Sequence, residues 1–211
     1  FLHIFDLGQS RQKIILLSIF LILRRSPMIN TSHPEIITEI HSDYIKAGAN
    51  IITANTFRTT SWTFEKAGYS RMLSKEQSRT SLYKAVECAQ KAVINKEKIA
   101  GSITTIADCY KPQEFPGRII AADIYGQTLE WMVDAGVDII LFETMGNADE
   151  IVCALEIAKN YNHPIWISLI AKDKKLTSKK LDITKLNKLN FTKPDLKKFP
   201  LLNIKKILPN K

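Results

Sequence analysis

Seven polar side chains stand where apolar runs of this sequence break off. They are Asp6 in LHIFDLG, Asn55 and Thr56 in AGANIITANTF, Ser102 in KIAGSIT, Glu143 and Thr144 in AGVDIILFETM, and Ser168 in PIWISLIA. The carboxylates Asp6 and Glu143 could together hold a cationic group such as an amino-acid ammonium. Thr56 could hydrogen-bond a carboxylate or an amine, and Gly8 would let a ligand approach the backbone closely. The same residue types also cap the helices that follow strands. Spacing alone leaves both readings open, as it does a third, acid–base chemistry by Asp6 and Glu143.

The elements that must position these groups alternate. SHPEIITEIHSDYIKAG offers Ser32 as an N-cap, Pro34 in the first turn and Glu35 three residues after the cap. Ile36, Ile37, Ile40, Tyr44 and Ile45 recur at helical spacing, and Gly48 suits the helix stop. A strand in NIITANT follows, then a helix over about 75–95, a strand over 98–104, a helix ending at Gly136, a strand in VDIILFET, a helix in NADEIVCALEIAKNY and a strand over 164–171. With LHIFDLG included, five strands alternate with helices. Apolar strands in such alternation predict a parallel sheet, either doubly wound or closed into a barrel, with ligands at the carboxyl ends of the strands.

Composition narrows the function classes. The 211 residues are 45% hydrophobic and 24% charged, as in ordinary globular proteins. The net charge of +9 is not a nucleic-acid signal, because residues 172–211 hold 13 Lys and 3 Asp and leave 17 basic and 18 acidic groups in the first 171. Residues 1–171 therefore read as one domain and residues 172–211 as a basic tail, irregular or disordered. The apolar run at 14–23 is too short to span a bilayer, and Arg24 and Arg25 follow where a signal cleavage site needs small residues. Cys88, Cys109 and Cys153 are widely spaced, which argues for a reducing, cytoplasmic setting and against a disulfide framework. Cys88 and Cys153 read as buried small hydrophobes, Cys109 as more exposed, and His41 as a packing histidine beside Ile40 and Tyr44.

HPEIITEIHSDYIKAGANIITANTFRT resembles the second helix–strand unit of the homocysteine S-methyltransferase family, and the likeness continues through IAGSI, DCYKP, LEWMVDAGVDIILFETM, DEIVCALEIAK and PIWISL. It covers about residues 28–171. The resemblance implies a (β/α)8 TIM barrel, here partial, with about the first five β/α units. It also implies methyl transfer to homocysteine from a donor such as S-methylmethionine, S-adenosylmethionine or betaine, forming methionine. Asp6 and Gly8 match the family's Asp-Gly-Gly run, where Leu7 replaces the first glycine. Thr56 and Glu143 match the Asn-Thr-Phe/Tyr and Glu-Thr motifs. Asp6, Gly8, Thr56 and Glu143 would then hold the amino-acid end of homocysteine.

The resemblance further implies a zinc ion on three cysteine thiolates, which lowers the pKa of the substrate thiol. Those cysteines come late in the family, and this chain has no cysteine after Cys153 and no glycine after Gly146. No residue is thus expected as a metal ligand or as a catalytic group, and zinc is not expected on this chain. Without it the substrate sulfur keeps its proton near neutrality, so the expectation is an inactive copy, or a remnant that binds an amino acid or a partner chain. Beyond residues 28–171 the pattern is lost. Together with the initial Phe1, this reads as a fragment, a shifted frame or decay at both ends.

Overall fold

A computed structural model describes residues 27–172 and 175–176, all within the larger compact unit of the chain, Phe1–Leu181. The expected first strand with Asp6 and Gly8, the apolar run at 14–23 and all of the Lys-rich tail from 177 onward lie outside the described residues. The elements are α1 (Ile29–Ser32), α2 (Pro34–Lys46), β1 (Ile51–Ala54), α3 (Ser61–Lys66), α4 (Arg71–Ala92), β2 (Lys98–Ile103), a 3-10 turn (Pro112–Glu114), α5 (Arg118–Asp134), β3 (Ile139–Met145), α6 (Ala148–Ala158) and β4 (Ile165–Leu169). Two short pieces, β5 (Ala171–Lys172) and β6 (Lys175–Leu176), pair antiparallel, so strand pairing reaches into the segment read as an irregular tail.

The four main strands form one sheet in the order β1-β2-β3-β4, with every pair parallel. Sequential order without reversal means that each right-handed crossover returns to the same face. A doubly wound sheet would reverse. The alternation alone left this choice open, and the strand order agrees with the partial (β/α)8 barrel that the resemblance implies.

The register sorts side chains between the two faces. Ala54 lies beside Gly101, and Gly101 beside Ile140. A Cβ on Gly101 would lie 2.9 Å from Val137 and 3.1 Å from the Met132 sulfur, so this row faces the helices and glycine permits the close approach. Ile52, Ile99, Ile103, Ile140 and Phe142 share that face, and all are buried. Tyr125 of α5 meets Phe142 edge-on at 5.8 Å between ring centroids. Trp131, Met132 and Leu129 are core, as read from sequence. Each such side chain contributes about 1.5–3 kcal/mol on burial. Thr53, Ser102 and Glu143 alternate to the opposite face, the inner face of a barrel.

Helix ends show where local reading succeeds. Gly48 and Gly136 follow their helices at φ 94° and 89°, a backbone region favourable to glycine. Ser32 is not the cap of α2. It is the last residue of α1, His33 precedes Pro34 at the helix start, and no side chain caps that end. The cause is tertiary: Ile29 and Asn30 are buried and draw the preceding turn into a helix of its own. Helix α4 begins at Arg71, four residues earlier than expected, where Ser70 accepts from Leu73 N–H. Tyr44 is 59% exposed, not a core position.

Candidate functional site

Asn55 follows β1, and its polar side chain is used internally. Its Nδ2 donates to Asn30 Oδ1 at 2.8 Å, while Asn30 Nδ2 donates to the Asn55 carbonyl at 3.0 Å and to Ser81 Oγ at 3.0 Å. Asn30 has no exposed surface. This reciprocal pair ties α1 and α4 to the end of β1.

The next residue, Thr56, is fully buried. Its hydroxyl donates to the Ser102 carbonyl at the end of β2, at 2.7 Å. The Ser102 hydroxyl in turn donates to Glu143 Oε2 on β3. Three neighbouring parallel strands are thereby linked at their carboxyl ends by one chain of polar contacts. A cavity of about 440 Å³ opens against this chain, and Asn55, Phe57, Ser102, Glu143, Ile40 and His41 are among its walls. A carboxylate beside partly apolar walls is suited to a small molecule carrying a cationic group.

Just past Glu143, still within β3, the strand is irregular. Thr144 has φ 57°, a left-handed conformation that a β-branched residue adopts only under constraint, and the β3–β4 register shifts at this point. The Thr144 hydroxyl lies 2.9 Å from that of Thr104 and donates to the Glu143 carbonyl at 2.7 Å. The loop after β2 is held from below by Glu150, whose Oε1 accepts from Ile106 N–H at 2.7 Å and from Tyr125 O–H at 2.8 Å. Burial pushes the Glu150 carboxyl above its ordinary range, against the effect of those two donors. Burial, then the charge of Glu150, pushes the Tyr125 phenol well up.

Of the four residues expected to hold substrate, the structure brings Thr56 and Glu143 into one network through Ser102. Glu143 lines the cavity and Thr56 is enclosed behind it. Asp6 and Gly8 lie outside the described residues. His41 is buried, as expected for a packing residue, and also lines the cavity. Asn30 and Glu150 escaped sequence reading; the one available signal was a polar residue inside an otherwise apolar face, as Glu150 is beside Ile151. The short helix α3, capped by Thr60 accepting from Thr63 N–H, was also missed.

The cysteines do not fit a zinc site. Cys88 donates to the Pro34 carbonyl and Cys153 to the Arg118 carbonyl, on different helices, and burial pushes both thiols up. Cys109, expected to be more exposed, is only 5% exposed because its loop packs inward. Among the described residues no three His, Cys, Asp or Glu side chains converge on a metal position.

A singly wound parallel sheet with a carboxylate, a serine and a threonine joined at the carboxyl ends of its strands defines a barrel of the kind that binds small molecules at that end. The chain belongs to the homocysteine S-methyltransferase family, whose model matches residues 11–193. The match runs past both ends of the 28–171 segment recognised by motif, so the family pattern is not lost at those bounds as expected. Maize homocysteine S-methyltransferase 2 is 32% identical over 166 residues, 67% of this chain and 48% of its own length. Selenocysteine Se-methyltransferase of Brassica oleracea var. italica is 29% identical over 167 residues, 66% and 47%. The oxidized form of the Escherichia coli homocysteine methyltransferase MmuM superposes with a TM-score of 0.63 at 26% identity, covering 71% of this chain and 56% of that one. The chain thus spans about half the length of these relatives.

Proposed function

We propose that this chain carries the amino-acid-binding part of a homocysteine site, and that methyl transfer to homocysteine is the reaction of the complete site. The donor would be a small methylated molecule such as S-methylmethionine, S-adenosylmethionine or betaine. The reading is supported above all by Glu143 on the wall of the cavity, beside Ser102 and Thr56. An ammonium would pair with the Glu143 carboxylate, while Thr56, enclosed behind the cavity wall, would serve the site by fixing the Ser102 carbonyl with its own proton. In this proposal Asp6 supplies a second carboxylate and Gly8 a close backbone approach. Glu143, Asp6 and Gly8 would bind the ligand, with Thr56 behind them, and none of the four does the chemistry.

A second reading is favoured by the thiols. Zinc would activate the substrate sulfur as a thiolate, and Cys88, Cys109 and Cys153 do not form the ligand set for it. The chain by itself then binds the amino acid without methylating it. We assign it to a reducing, cytoplasmic setting, which suits three free buried cysteines, with small molecules rather than nucleic acid or membrane as partners. No helix among the described residues is long and apolar enough to cross a membrane.

Calorimetry with L-homocysteine and with 4-mercaptobutanoate, which lacks the amino group, tests the binding. The native chain should prefer homocysteine, and Glu143→Gln should remove the preference by weakening homocysteine about tenfold or more. Equal affinities in the native chain would reject the ammonium assignment. Methionine formation by the purified 211-residue chain would reject the binding-only reading.

A further inference from the structure

Ser102 is 1% exposed, and its hydroxyl has a side-chain partner. It spends its proton on Glu143 Oε2 in the adjacent strand. Its carbonyl is in turn fixed by Thr56, so the backbone that carries the hydroxyl is itself anchored to β1. A glutamate side chain at the edge of a cavity has several rotamers, and a ligand that needs one of them must otherwise freeze it on binding. The bond engages one carboxylate oxygen and leaves the group's second oxygen for a further donor. Glu143 also lies next to the strained Thr144, so its backbone is held on one side and its carboxylate on the other.

We infer that Ser102 is a positioning residue, whose hydroxyl holds the Glu143 carboxylate in the orientation that receives the ligand's ammonium. The inference deepens the amino-acid-binding reading and rests on it for the identity of the ligand. It does not require Ser102 to touch the ligand. Ser102 then acts only on the part of a ligand that Glu143 recognises, and only while Glu143 is present. A hydroxyl that merely fills buried space would affect all ligands alike.

The test compares Ser102→Ala, Ser102→Thr, Glu143→Ala and the double variant Ser102→Ala/Glu143→Ala, by calorimetry with L-homocysteine and 4-mercaptobutanoate. Ser102→Ala should weaken homocysteine about tenfold and leave 4-mercaptobutanoate within about twofold. Ser102→Thr, which keeps the hydroxyl, should recover most of the loss, and Ser102→Ala should have no further effect on a chain that already has Glu143→Ala. Equal weakening of both ligands, or losses that multiply in the double variant, would overturn the inference. Urea unfolding of the native chain, Ser102→Ala, Glu143→Ala and the double variant gives a readout that needs no ligand. If the native chain binds neither ligand, the functional reading fails, and the unfolding cycle decides for Ser102. Non-additive stabilities support its hold on Glu143, and additive ones reject it.

Discussion

The hydroxyls of Thr104 and Thr144 face each other at 2.9 Å across the ends of β2 and β3, and Thr144 reaches this position only from a left-handed backbone. A β-branched residue in that region costs about 1–2 kcal/mol. Thr144→Gly relieves the strain but loses the hydroxyl contact and adds chain entropy to the unfolded state, so its stability should stay within about 1 kcal/mol of native. Thr144→Val keeps the strain and loses the contact, and should be destabilised by about 1–2 kcal/mol. Urea denaturation separates the two. A glycine variant as unstable as the valine variant would show that the contact, and not the backbone, dominates here.

How much of this was legible in the sequence depended on how local each cause is. Gly48 and Gly136 stop their helices through their own φ, and both were readable. Four strands of the sheet and their polar ends were readable for the same reason. Ser32 was misread because Ile29 and Asn30, not Ser32, decide where that turn goes. Alternation alone could not tell the barrel from a doubly wound sheet, since both give the same pattern along the chain; the family resemblance implied the barrel, and the strand order agrees with it. Glu143 was named from its motif, but its tie to Ser102 spans 41 positions, and that of Thr56 to Ser102 spans 46. Such contacts leave no trace in periodicity. Cys109 looked exposed because loops usually are, and its burial comes from packing that composition does not record.

Glu150 should make stability depend on pH in a direction opposite to that of most carboxylates. Its folded-state carboxyl is held above the ordinary range by burial, so the folded chain binds a proton more readily than the unfolded chain. The associated stability is complete below the ordinary glutamate value of about 4.3 and is lost as pH rises through the raised value. Glu150→Gln retains an oxygen to accept from Ile106 and Tyr125 but does not titrate. The stability difference, variant minus native, should therefore grow with pH across that interval and then level off. Depressed carboxylates such as Asp138 are common to both proteins and cancel. A difference that is flat from pH 4 to pH 8 would contradict the assignment.

Asn30 should matter more to stability than any residue of the neighbouring helix start. Asn30→Ala removes the acceptor for Asn55 Nδ2 and donors to the Asn55 carbonyl and Ser81, the last in buried and the first two in part-buried surroundings. The expected loss is about 2–3 kcal/mol, since groups left unsatisfied away from water carry most of the cost. Ser32→Ala should change stability by no more than about 0.5 kcal/mol, because this exposed serine caps nothing. Thermal or urea unfolding of the two variants checks both values. A large effect at Ser32 would restore it as the cap of α2.

The cysteines provide a chemical check on the binding-only reading. The thiolate is the form that attacks disulfide reagents and that ligates metal. Burial pushes the Cys88 and Cys153 thiols up, and Cys109 is buried. In the folded chain all three should react with a disulfide reagent far more slowly than a free thiol, at rates that rise with urea as the chain opens. Added zinc should leave those rates unchanged, since the three groups lie on α4, in the loop after β2 and on α6 and cannot share one ion without unfolding. Rapid modification of all three in the native chain, suppressed by stoichiometric zinc, would mean that these thiols do converge on a metal, and the binding-only reading would fall with that result.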